Sequence, residues 1–284
     1  MTGRVVPLRY VADWRSLLFL GTLAALFTVQ WSGLLRHWLL LPLTCALAFV
    51  ACVVKHNHVH CPTFTRRGWN AALGHVLGLL TGHETTGIIT AHNVRHHREN
   101  QTDRDCVRCS LVGFRWNWLN LLCFPFVAVA RMRRDKPSDL ADWRVRAPRV
   151  YRQALAERLV LYAAIVTLAL ADWCATLLYL AGPWLFGQWG IVTINLLQHQ
   201  DCDPRSAHDH SRNVTGRLVN WVVLNNGFHT AHHARPGLHW SRLPPYHRAV
   251  VMPRMRPDLE TRSLLVATWR QFLAGDRRGT AAAR

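Results

Sequence analysis

The chain has 284 residues, half of them hydrophobic, and 34 Lys or Arg against 16 Asp or Glu give a formal net charge of +18. The apolar content excludes a disordered chain, and eight Cys in this length fall below the density of a disulfide scaffold, so the thiols are expected to be reduced. Residues 17–54 carry a single charge, Arg36, whereas residues 55–158 carry 17 Lys or Arg, a segregation that argues for a polytopic membrane protein.

In chain order, residues 17–35 and 37–54 are apolar runs of 19 and 18 residues, each long enough to cross ~30 Å of hydrocarbon at ~1.5 Å per residue. A tight turn at Arg36 makes them a hairpin. Residues 73–90 and 111–132 are apolar but interrupted by His75, His83, Glu84 and Arg115; they read as helices at the cytoplasmic interface, which favours Trp116 and Trp118. Residues 131–158, with Pro137 and Pro148, read as a charged connector. Residues 158–171 and 173–197 form a second hairpin turning at Asp172, the first of them starting as early as Leu155. The expectation is an all-α integral membrane fold: one domain over 1–284, four spans in two hairpins, and a cytoplasmic helical cap from 55–157 and 198–276. The tail at 277–284 is expected to be disordered. The first apolar run is too long for a signal peptide, so none is expected to be cleaved.

The basic residues fall in alternate connections rather than in one patch. This positive-inside pattern places both termini and the central basic segment in the cytoplasm. Membrane topology therefore accounts for the charge, and no nucleic-acid partner is expected.

The 17 His are clustered. His56 and His60 stand four apart just after the second span, on one face if that helix continues about two turns beyond the membrane. His92, His96 and His97 follow, then Asn195 and His199 four apart at the end of the fourth span, then His229, His232 and His233. All fall on the same expected side of the membrane. Nine convergent imidazoles exceed the ligand shell of one ion and imply two sites; the adjacent pairs His96/His97 and His232/His233, pointing ~100° apart on a helix, would serve one ion each. Neutral imidazole suits iron, zinc, copper or nickel. His58, His208 and His210 are secondary candidates, and His37, His75, His83, His239 and His247 read as ordinary surface or core histidines.

Other motifs fail on their mechanics. His83-Glu84 opens like a zinc-protease helix, but Gly87 stands where the second His is needed. No Glu has a His three residues on, which excludes the carboxylate-bridged di-iron bundle. Cys106-Val-Arg-Cys109 leaves open a structural zinc completed by Cys61 or Cys202. Asn213-Val-Thr215 matches a glycosylation sequon but falls on the cytoplasmic side. A polytopic, His-rich metal transporter or sensor is the competing class; it needs ionisable ligands at mid-span, and these spans hold almost none.

With its three His boxes, His-x-x-x-His at 56–60, His-x-x-x-His-His at 92–97 and His-x-x-His-His at 229–233, the sequence resembles the membrane fatty acid desaturase superfamily over roughly residues 15–250. That family also holds alkyl hydroxylases and carotenoid ketolases. The resemblance implies two non-haem iron ions with O₂ as co-substrate, His199 as the ninth imidazole and Asn195 contributing through a water. It implies attack on an unactivated C–H bond of a lipid or acyl chain, free or carrier-bound. Fatty acyl desaturation is the leading reading; hydroxylation or ketolation of an alkyl or terpenoid chain by the same centre is the alternative. The sequence has no fused cytochrome b5 segment and no rubredoxin-like Cys pairs, so electrons come from a separate ferredoxin, rubredoxin or flavoprotein. The arginines of 131–158 or of the carboxyl-terminal segment are expected to dock such an acidic donor or, the preferred reading, to bind lipid phosphates. Trp184, Phe186 and Trp189 are candidate walls of a substrate tunnel, or simple packing.

Overall fold

The computed structural model describes residues 7–274. Among the described residues four helices are long and apolar enough, by length and composition, to cross a membrane: Val11–Trp31, Leu40–His60, Pro148–Ala171 and Trp173–His199. The described residues divide into two compact units, 7–90 with 137–191 and 91–136 with 192–274. The expected disordered tail lies outside the described residues.

The first unit begins with α1 (Trp14–Trp31) and α2 (Leu40–His60), joined by an eight-residue segment rather than a tight turn at Arg36. Arg36 itself closes α1: its guanidinium donates to the carbonyls of Gln30 and Trp31 and pairs with Asp172 at 3.3 Å. Helix ends leave carbonyls without intrahelical partners, and an arginine supplies the missing donors. Inside the pair, the fully buried Gln30 donates to Thr44 Oγ1 at 2.7 Å, so a polar contact fixes the register of two otherwise apolar surfaces.

α3 (Arg67–Thr81) starts and stops earlier than the helix expected at 73–90. It ends where Gly82 takes φ +66°, a left-handed conformation natural to glycine. A Cβ there would also lie 2.7 Å from the Trp184 ring. Trp184 is buried and meets Phe27 edge-on at 6.3 Å within this unit. Residues 84–86 are then held to the third span. Glu157 accepts from Thr86 N–H and Thr86 Oγ1, and Arg158 pairs with Glu84 at 2.9 Å. The Glu84 carboxylate is thus committed to an ion pair, in keeping with the failed zinc-protease motif.

α4 (Asn117–Arg146) starts six residues later than the helix expected at 111–132 and runs through most of the expected connector. α5 (Pro148–Ala171) follows after a single residue, because proline at the first helical position lacks only an N–H that would be unpaired anyway. The connector of 131–158 is therefore helical. As expected, the chain turns at Asp172, whose side chain caps the next helix by accepting from Ala175 N–H at 2.8 Å. After a π-helical turn at Leu177–Ala181, α6 (Gly182–His199) follows. Gly187 lets its backbone approach α2; a Cβ there would stand 2.8 Å from Ala48 backbone atoms.

The second unit is built from a π-helix (Thr90–His96), whose first residue closes the first unit, the start of α4, the end of α6, α7 (Arg217–Val222), α8 (His229–Ala234) and α9 (Leu264–Thr268), which continues as a π-helical turn (Trp269–Leu273). A two-residue parallel ladder, β1 (Asn213–Val214) with β2 (Glu260–Thr261), ties its parts together. Its core joins Phe124 and Ala128 of α4, Leu196 and Leu197 of α6, Val214, Ala267 and Phe272.

Candidate metal centre

Seven of the expected ligands lie in the second unit, and they separate into two clusters. His96, His199, His229 and His233 each bring a ring nitrogen within 4.8 Å of the others. Within this set His229 Nε2 and His199 Nε2 are 2.9 Å apart. In the other cluster His97 Nε2 lies 3.2 Å from His92 Nε2 and 3.1 Å from His232 Nε2. Two nitrogens held at ~2.1 Å from a shared ion at right angles stand ~3 Å apart, so these separations suit ligands of one metal. The clusters adjoin where His97 stacks on His233, ring centroids 4.2 Å apart.

The expected division of adjacent histidines is present: His96 and His233 serve one cluster, His97 and His232 the other. In the third box this follows from α-helical geometry over His229–Ala234. In the second box the helix expected is replaced by a π-helix over Thr90–His96. Bonding from i to i+5 stacks residues five apart, which brings His92 and His97 to one face where an α-helix would splay them. Arg95, between these ligands, is paired with Asp135 of α4 at 3.4 Å.

Second contacts fix which nitrogen faces inward. His96 Nδ1 lies 3.1 Å from Asp105 Oδ2, both side chains fully buried, and His199 Nδ1–H donates to the carbonyl of His210 at 3.0 Å. With Nδ1 so engaged, each Nε2 carries the lone pair. Among the described residues the buried Nε2 atoms of His96 and His233 have no hydrogen-bond partner, the condition of a ligand atom. Burial alone would raise the Asp105 pKa; hydrogen bonding and charge from His96 and the N–H groups of Gln101 and Val107 hold it below the ordinary value instead. Desolvation, then repulsion from His229, His97, His199 and His96, pushes His233 well below the usual imidazole range and keeps it neutral. The donor set is wholly imidazole and buried to half-buried, which fits a transition-metal ion in each cluster.

The first box belongs to the first unit. α2 does continue through His60, and the His56 and His60 rings lie 5.0 Å apart on its last turn. Lys55 sets that end: its buried ammonium donates to Thr81 Oγ1 and to the carbonyl of His83.

The secondary candidates join neither cluster. His58 Nδ1 is engaged by Thr63 Oγ1 at 3.0 Å, and His208 sits in the loop before His210. His210 is nearest, its ring 5.4 Å from His233, its Nδ1–H donating to Ser206 O and its pKa lowered by burial, but it lies outside both groups. Asn195 uses its amide nitrogen to hold the carbonyl of Val107 at 2.9 Å, bracing the loop that carries Asp105. The cysteines stand apart from these clusters. Cys106 donates to Ala91 O, burial pushes its thiol up to about 12, and no Cys enters a metal cluster among the described residues. Asp105 itself was not anticipated; an acid nine residues beyond His96 has no helical relation to it.

No curated relative matches the sequence. Residues 35–264 match the sequence model described as Fatty acid desaturase, a stretch that includes all three His boxes and His199. The chain, with its apolar helices and paired imidazole clusters, belongs to the fatty acid desaturase family of membrane oxidoreductases acting on acyl chains.

Proposed function

We propose that the protein is an O₂-dependent di-iron fatty acyl desaturase, with both termini and the site on the cytoplasmic side. The observation that carries this reading is the pair of adjoining all-imidazole clusters in a chain of this family. His96, His199, His229 and His233 are proposed to hold one iron and His92, His97 and His232 to ligate the second, with His56 and His60 assigned as ligands on their motif alone. Iron bound there supplies the activation of O₂ needed to remove hydrogen from an unactivated C–H bond. In balance, adjacent carbons of the chain lose two hydrogens and form a double bond. An external ferredoxin, rubredoxin or flavoprotein gives two electrons, solvent gives two protons, and O₂ leaves as two waters.

The protein's own part is positional. Asp105 and the His210 carbonyl hold His96 and His199 in the tautomer that points Nε2 inward, and burial keeps His233 neutral as a ligand. The basic segments are assigned first to lipid phosphates and second to an acidic electron donor, for which they offer a complementary surface. The test is mass spectrometry of lipids and acyl thioesters from cells expressing wild type or His232→Ala, with ¹⁸O₂ and a ferredoxin system supplied. A wild-type product lighter by two hydrogens and free of label is expected. A labelled oxygen in the product would replace desaturation by hydroxylation or ketolation, and the same products from His232→Ala would remove the metal assignment.

A further inference from the structure

Two helices of the second unit are apolar on both faces. Inward, Phe124 and Ala128 of α4 share one core with Ala267 and Phe272 of the α9 segment. Outward, α4 exposes Trp118, Leu122 and Phe126, and the α9 segment exposes Leu265, Trp269 and Leu273, both sets at i, i+4 and i+8; Leu265 is 82% exposed and Trp269 60%. A helix apolar all round needs a second apolar medium, and a soluble surface seldom leaves such stripes open.

The medium is indicated by what surrounds the stripes. Asn117, at the start of α4, donates to Gln271 O at 2.6 Å and accepts from Gln200 Nε2 at 2.8 Å. Gln200 directly follows α6, the last of the candidate membrane spans. Both outward stripes are therefore tied to the point where a span ends. No acidic residue occurs between 261 and 274, and exposed Arg262 and Arg270 flank the α9 stripe. Tryptophan beside leucine with an arginine rim is the composition of an interfacial helix, the rings at headgroup depth and the guanidinium groups on phosphates.

We propose that residues 264–273, together with the first turns of α4, form a two-helix platform lying in the phospholipid interface. Of the two platform helices the sequence pointed to the interface for α4 only; the carboxyl-terminal helix is the new element. The proposal does not depend on the reaction catalysed.

The test places p-benzoylphenylalanine at position 265 or 269 of the full chain in native membranes, with position 103 as reference, since the Asp103 side chain is 99% exposed. Leu265 contributes almost nothing to the core, so its replacement leaves the fold intact. After irradiation, phospholipid adducts at 265 and 269 are expected at several-fold the yield at 103. Adduct yields no higher than at 103, or crosslinks to a second copy or to another protein, would overturn the proposal.

Discussion

Asp105→Asn isolates one carboxylate oxygen in the support of the metal centre. Asp105 Oδ2 takes His96 Nδ1 at 3.1 Å and Gln101 N–H at 3.0 Å, while Oδ1 takes Val107 N–H at 2.9 Å. Asparagine keeps one acceptor and turns an NH₂ group toward the donors on the other side. If the amide oxygen stays on His96, the Val107 N–H is left buried and unpaired; if it turns to Val107, His96 loses its acceptor and its tautomer. Either outcome costs about 1–3 kcal/mol, the penalty of a buried donor without a partner. At ~1.4 kcal/mol per tenfold the second outcome lowers metal affinity roughly 5- to 150-fold, in line with the ~10–100-fold that outer-sphere partners contribute, whereas the first lowers folding stability by the same energy. The assay is chelator competition on purified protein, with iron retention read by elemental analysis. Affinity within twofold of wild type together with an unchanged unfolding midpoint would refute the role given to Asp105. The sign with pH is also fixed: a carboxylate with a lowered folded pKa contributes fully above about pH 4 and loses that contribution as pH falls through the folded value. The difference between wild type and Asp105→Asn should hold constant down to about pH 5 and shrink only below about pH 4.

Further expectations follow from other sites. His233 and His210 are both held below the usual imidazole pKa, so metal-free protein should keep full stability above about pH 6.5 and lose it as pH falls toward the folded values; a flat unfolding midpoint between about pH 8 and 5 would contradict this. Gly82→Ala should destabilise the protein by about 1–2 kcal/mol from its left-handed backbone alone, with more from displacing Trp184, and thermal unfolding in detergent measures it. His37→Ala, in the segment between α1 and α2, should leave bound iron and activity unchanged, and loss of iron there would contradict the ligand assignment.

The parts legible in the sequence are those where one residue type dictates one geometry. α2 could be followed to His60 because nothing in Lys-His-Asn-His-Val-His breaks a helix before Cys61 and Pro62. Asp172 was a readable turn because a lone acid between apolar runs is a natural helix cap. The division of His232 from His233 follows from helical pitch. What the pattern hid depends on tertiary partners. Pro148 reads as part of a charged connector but starts α5, since only its setting tells a first-turn proline from an interior one. The π-helix at Thr90–His96 has no spacing signature of its own, and it decides that His92 pairs with His97. Asp105 reaches His96 through a loop whose path is set by Asn195, 90 residues later. The outward stripe at Leu265, Trp269 and Leu273 was passed over because the charged segment around it dominates the composition.

In the proposed reaction two imidazole clusters hold two metals that perform the oxidation. The most direct measurement is iron per chain in purified protein that turns over an acyl substrate, compared with His199→Ala and His97→Ala, one substitution in each cluster. About two irons per active chain are expected, with iron and turnover falling together in either variant. Full turnover at one iron per chain, or with none, would contradict the account.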